Sequence, residues 1–165
     1  MGLMQRNKGK RFERDIAARL RSVWPDAVVR RASQAERADN PDVFIEGGPP
    51  ILARLWLELQ DARQPTPDSK LFQAEKDADL YLRRRVGGMA SPGLGGYPKT
   101  DRLPVVVWHR LGERTTWATM RLWVLDELRD MFKEQTAGTY RRRTGSLVTM
   151  KIDDAIEMLR EAVKP

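Results

Sequence analysis

The chain has 165 residues, 41% of them hydrophobic, with 30 Lys and Arg against 23 Asp and Glu, a formal charge of +7 and a pI near 10.0. That length suits one domain, residues 1–165, with a core of its own, and the charge favours a polyanionic partner such as DNA, RNA or a membrane surface. The absence of cysteine excludes a disulfide framework, a zinc ribbon and a thiol nucleophile, and one histidine, His109, cannot build a zinc site with histidine partners; any metal must rest on carboxylates, whose hard oxygens suit Mg²⁺ or Mn²⁺.

Along the chain, Phe12, Ile16, Leu20 and Val23 recur at three- and four-residue spacing, which predicts an amphipathic helix from Asn7 to about Trp24, ended by Pro25 and Asp26. AVVRRAS (27–33) is strand-like, QAERADN a polar loop, Asp42 to Glu46 a short strand and EGGPP a tight turn. The next strand is expected from about Ile51 to Gln60. QPTPDS then leads into a helix from about Ser69 to Arg85 whose apolar side carries Leu71, Ala74, Ala78 and Tyr81. A Gly/Pro-rich stretch at about 86–104 reads as a long, irregular, mobile loop. LPVVVWHR and ERTTWATMRL read as paired strands with a turn near Leu111 and Gly112, and a helix follows with Leu122, Leu125, Leu128 and Phe132 on one face. TAGTYRRRTGS is a basic connector, SLVTMKI a short strand and DDAIEMLREAV a closing helix with Asp153 and Asp154 at its N-terminus. This order predicts an α/β domain in which helices flank a mixed central sheet, and it leaves the strand order open.

The run LWLELQ (55–60) carries the chemistry. Period-two alternation puts Leu55, Leu57 and Leu59 on one face and Trp56, Glu58 and Gln60 on the other. With Asp42 at the start of the preceding strand, two carboxylates could converge and bind a divalent cation, which activates water and neutralises charge on a phosphate. Plainer readings stand beside this one. Glu58 fits the solvated face of an antiparallel strand, Asp42 fits a turn after Asn40-Pro41, Glu13 fits an exposed i, i+4 ion pair, and Trp56 fits core packing as well as a stacking platform. His109, next to Trp108, reads as a strand-surface residue rather than a catalytic base.

Pro41-Asp42 followed by Glu58-Leu59-Gln60, and preceded by a helix carrying NKGKRFERD, resembles the PD-(D/E)xK nuclease superfamily, most closely its Holliday-junction resolvases of the archaeal and phage-encoded type. The resemblance covers roughly residues 7 to 80. It implies a restriction-endonuclease-like fold and an endodeoxyribonuclease that uses Mg²⁺, with Mn²⁺ as a substitute, to hydrolyse phosphodiesters symmetrically at four-way DNA junctions, leaving 5′-phosphates. Two symmetric cuts imply a homodimer. By the same resemblance Asp42 and Glu58 hold the metal, Glu13 completes the site, and Ser33 takes the hydroxyl position at the end of VVRRAS. Gln60 stands where most of the family has lysine, as in some active members. Its amide is expected to orient the attacking water, with Lys70 or Arg63 supplying the charge. Gln73 falls where relatives carry a site-facing polar side chain.

Lys8, Lys10, Arg11, Arg30 and Arg31 are expected to approach phosphates, and Arg83 to Arg85 and Arg141 to Arg143 are further basic runs. The same residues admit a restriction-like enzyme on duplex DNA, or a catalytically silent DNA-binding or recombination-accessory protein. No apolar run approaches the roughly 20 residues of a spanning helix, and MGLMQRNKGK lacks a signal peptide's apolar core. The expectation is a cytoplasmic protein with no membrane role, in the host cytosol if phage-encoded.

Overall fold

The apolar stripe of Phe12, Ile16 and Leu20 becomes the inner face of α1 (Leu3–Val23) in a computed structural model that describes residues 3–33, 36, 40–85, 102–130 and 146–162. The remaining elements are β1 (Val28–Arg31), β2 (Val43–Glu46), α2 (Pro50–Arg54), β3 (Leu55–Ala62), α3 (Pro67–Arg85), β4 (Leu103–Arg110), β5 (Thr116–Arg121), α4 (Leu122–Asp130), β6 (Leu147–Lys151) and α5 (Ile152–Ala162). The six strands form one sheet in sequence order. Among the described residues only β3 and β4 run parallel, and the other neighbouring pairs are antiparallel. The chain is therefore an α/β fold with a mixed sheet flanked by helices.

Several expected boundaries move: α1 begins at Leu3 rather than Asn7, and α3 at Pro67 rather than Ser69. The third strand begins at Leu55 rather than Ile51, because Pro49-Pro50 starts the short helix α2, with a proline in its first turn, where the missing N–H costs nothing. Gly47 and Gly48, at φ +72° and +66°, make the turn into it, and a side chain on Gly48 would meet Ala27 Cβ at 3.0 Å. The strand then continues to Ala62. The loop expected at 86–104 falls outside the described residues as far as 101, and so do Phe132 and Arg141 to Arg143 of the basic connector.

Two unequal layers cover the sheet. On one face Val43, Leu57, Val105, Val107 and Met120 pack with Ile16 and Leu20 of α1, Val124 and Leu128 of α4, and Ile156 of α5. Each such side chain, fully buried, contributes about 1.5–3 kcal/mol. The other face lies under α3, where Trp56 packs with Ala74, Ala78 and Tyr81. This second face is also polar. Thr119, fully buried, accepts a hydrogen bond from Trp108 Nε1 at 2.9 Å and shares one with the Thr149 hydroxyl at 2.8 Å. Glu75 of α3 receives Arg121 of β5 through two bonds of 2.7 and 2.9 Å. Among the described residues, no helix is long and apolar enough to cross a membrane.

His109, at the far end of β4, ties three segments together. Its Nδ1 lies 3.0 Å from Asp61 Oδ1 on β3, its Nε2 lies 2.7 Å from the Glu113 carbonyl, and its ring is 6.0 Å from that of Phe12. Both ring nitrogens face acceptors, which only an imidazolium can satisfy at once. The hydrogen bond donated to Asp61, aided by Glu113, therefore raises its pKa above 6.5. A raised folded-state value stabilises the fold below 6.5, and that contribution is lost as pH climbs through the folded value. His109 is the single histidine, so its proton NMR titration is unambiguous: the midpoint should lie above 6.5 and fall back on Asp61→Asn.

Candidate functional site

The registered pair Val43↔Leu57 puts Asp42 opposite Glu58. Since Val43 and Leu57 point into the α1 core, alternation sends Glu58, with Trp56, to the face beneath α3. The backbone of Asp42 joins two strands, its N–H donating to the Leu57 carbonyl and its carbonyl accepting from Ala32, both at 2.9 Å. Its side chain continues the ladder. Beyond this pair β2 leaves β3, and Asp42 Oδ2 accepts the Leu59 N–H at 2.9 Å. The carboxylate is thereby fixed against the strand that carries Glu58.

Glu58 is 6% exposed. Trp56 Nε1 donates to its Oε1 at 3.1 Å, and Lys70 Nζ from the first turns of α3 lies 2.6 Å from its Oε2. Burial, and then the charge of Asp42, push the Glu58 carboxyl up to about 7, outweighing the opposing pull of Lys70 and Trp56. Burial works against the Lys70 charge, but Glu58, Asp42 and Asp77 together raise its pKa. Lys70 therefore keeps its proton as a donor, while Glu58 titrates near neutrality.

The other expected site residues disperse. Glu13 is buried at 7% exposure, but on the opposite face of the sheet, where α1 packs, and it is bound by Arg31. Among the described residues no three of His, Cys, Asp and Glu gather into a metal-holding group, so the expected trio of Glu13, Asp42 and Glu58 reduces to the last two. The sheet itself separates Glu13 from them.

Gln60 shares the Glu58 face, yet its amide is engaged at the entry to α3: Oε1 accepts from Thr66 N at 2.9 Å and Nε2 donates to Thr66 Oγ1 at 3.3 Å. Gln73 is exposed and donates to Asp77 at 2.8 Å rather than facing the site. Arg30 is held by Glu36 through bonds of 3.0 and 3.1 Å, and the backbone N–H of exposed Ser33 donates to Glu36 at 2.9 Å. Lys10 is half-buried, Arg11 and Arg63 are exposed, and the side chains of Lys8, Arg83 and Arg85 lie outside the described ones. The Glu75–Arg121 pair escaped the sequence reading, although Glu75 follows Leu71 and Ala74 on the apolar stripe of α3, a position that marks a buried, paired carboxylate.

Two hard oxygen donors held on one face fit Mg²⁺, which ordinarily takes one or two carboxylates, waters and substrate phosphate rather than an all-protein cage. A carboxylate offers about four lone-pair sites, so Asp42 and Glu58 retain acceptor capacity beyond the contacts described. No protein-family model, no curated protein and no solved structure matches the chain.

A raised Glu58 makes the folded state bind more protons than the unfolded chain between its ordinary value of 4.5 and about 7. Stability should therefore fall as pH rises through that window, by up to about 3 kcal/mol at 1.36 kcal/mol per pH unit. Urea titrations across it should show this slope, and Glu58→Gln should remove it.

Proposed function

We propose that the chain is a Mg²⁺-dependent DNA endonuclease of the PD-(D/E)xK type that resolves four-way junctions as a homodimer. The observation that carries this reading is the buried Glu58 of β3, opposed across the β2–β3 pair by Asp42 and met by Lys70, in the motif Asp42…Glu58-Leu59-Gln60. A positively charged chain suits the polyanionic substrate.

Asp42 and Glu58 are the residues that would hold the metal, and the bound ion would lower the pKa of water and neutralise charge on the phosphate. Lys70 supplies the cation that Gln60 lacks. Its ammonium neutralises Glu58 before substrate arrives, and with three donors it can turn to a phosphate oxygen or the incoming water. Gln60 positions Lys70 indirectly, because Thr66, which it holds, accepts the Lys70 backbone N–H at 3.1 Å. Hydrolysis forms a bond from water oxygen to phosphorus, breaks the bond from phosphorus to O3′, and leaves a 5′-phosphate and a 3′-hydroxyl. The water's proton balances the departing O3′.

A second reading follows from the same ion pair. With Lys70 neutralising Glu58 and Gln60 committed to Thr66, the chain also suits a DNA-binding accessory protein that cuts nothing.

A labelled four-way junction and a matched linear duplex, each with Mg²⁺ or EDTA, separate these readings. Paired nicks on the junction alone should vanish with EDTA, Asp42→Ala or Glu58→Ala. Lys70→Ala should slow cutting by about a hundredfold, the order seen when one positioned charge is lost from a transition state. Equal cutting of the duplex would favour a restriction-like enzyme, and salt-sensitive junction binding with no cutting in either Mg²⁺ or Mn²⁺ would leave the accessory protein.

A further inference from the structure

Beside the Asp42–Glu58 pair, on the same face of the sheet, a cleft of about 560 Å³ opens between the β1–β2 hairpin and the C-terminal half of α3. Pro41 and Trp56 lie in its wall, so it adjoins the neighbours of both carboxylates. Two half-buried rings line it, Phe44 from β2 and Tyr81 from α3, and each carries a guanidinium over its face: Arg30 at 4.5 Å from the Phe44 centroid and Arg102 at 5.1 Å from that of Tyr81.

The charges in this cleft are balanced. Its two guanidiniums, Arg30 and Arg102, are matched by two carboxylates, Glu36 and Glu46; Arg30 pairs with both, and Arg102 donates to the Ala53 carbonyl. A cleft of that kind is poorly built for a bare phosphate, which needs uncompensated positive charge. It suits a flat, neutral, polarisable heterocycle that stacks on rings and guanidinium planes and meets acceptors at its edge. Asn40 and Glu46 provide such acceptors on the rim. The volume falls within the range of roughly 300–1,000 Å³ typical of small-ligand sites.

We propose that this cleft receives one unpaired nucleobase of the DNA strand whose phosphate lies at Asp42 and Glu58. The choice of ligand rests on the nuclease reading. A base seated there fixes the strand at the carboxylates, and it selects DNA in which a base is free to leave its stack, as at the crossover of a branched molecule. Trp56 links the two sites: its ring meets Tyr81 at 5.5 Å in an edge contact, and its Nε1 holds Glu58.

The test uses the full chain in EDTA, so that no cutting is needed. Fluorescence anisotropy compares labelled single-stranded oligothymidylate with an abasic backbone of equal length. The base-bearing strand should bind about tenfold more tightly, since stacking one base is worth about 1–3 kcal/mol and 1.4 kcal/mol is tenfold. Phe44→Leu, which keeps an apolar side chain but removes the ring, should abolish that preference while leaving abasic binding unchanged. Independently, a 5-iodouracil oligonucleotide should photocrosslink to Phe44 or Tyr81 of the unmodified protein. Equal affinity for both strands, or crosslinks only elsewhere, overturns the proposal. Metal-dependent cutting without base preference would remove the cleft's role and leave the nuclease, whereas base preference without cutting would do the reverse.

Discussion

The parallel pairing of β3 with β4, eight registered residues from Leu55↔Leu103 to Ala62↔Arg110, is the constraint on which the site depends. Parallel neighbours cannot be joined by a hairpin and require a crossover. Here the crossover carries α3, which lies on the face opposite α1 and covers Trp56 and Glu58. Glu58 is thus buried by topology. On an antiparallel strand with one open face the same glutamate would sit in water, and the burial that chiefly raises its pKa would be lost. The small residues Ala74 and Ala78 let the helix approach closely enough to seal the Trp56 ring beneath it.

A buried carboxylate is costly unless it is neutralised or well hydrogen-bonded. Glu58 has partners in Trp56 and Lys70, but Asp42 acts against them, and Asp42 is pinned by a backbone N–H of the very strand that bears Glu58. The two negative charges are held together by the ladder, so neither can relax away. Glu75, on the same face, shows the opposite arrangement, with a bidentate arginine on its carboxylate. One acid is settled by its partner. The other is pulled one way by burial and Asp42 and the other way by the Lys70 ammonium and Trp56, and so stays close to the balance between its two protonation states.

Most of the element order was legible in the sequence, because periodicities of two and three to four are written locally in LWLELQ and in the stripe of α1. The alternation of β3 even assigned Trp56 and Glu58 to one face. What the sequence did not reveal depends on strand order. Glu13 is a site residue by the resemblance, yet α1 packs on the Leu57 face of the sheet, opposite the one that carries Glu58, and Glu13 is bound there by Arg31. Lys70 was one of two cations near the motif, and the choice between it and Arg63 is made by helix phase: the inward side of α3 brings Lys70 to Glu58, while Arg63 stays in solvent. The short helix α2 was hidden because Ile51 and Leu52 are as apolar as a strand residue would be, and Pro50 alone marks the difference.

The distribution of positive charge follows from the same geometry. Arg30 and Arg31, adjacent in β1, point to opposite faces, and each is taken up internally, by Glu36 and by Glu13. The strand-end arginines therefore contribute structure before they contribute binding. Arg63 and Arg114, by contrast, stand exposed in the turns beyond the carboxyl ends of β3 and β4. In the first turns of α3 that follow, Lys70 is held by Glu58 at 2.6 Å, so its charge is engaged within the fold while that of Arg63 faces solvent. Arg63 and Arg114 thus keep their side chains in solvent, while Arg30, Arg31 and Lys70 are drawn into ion pairs within the fold.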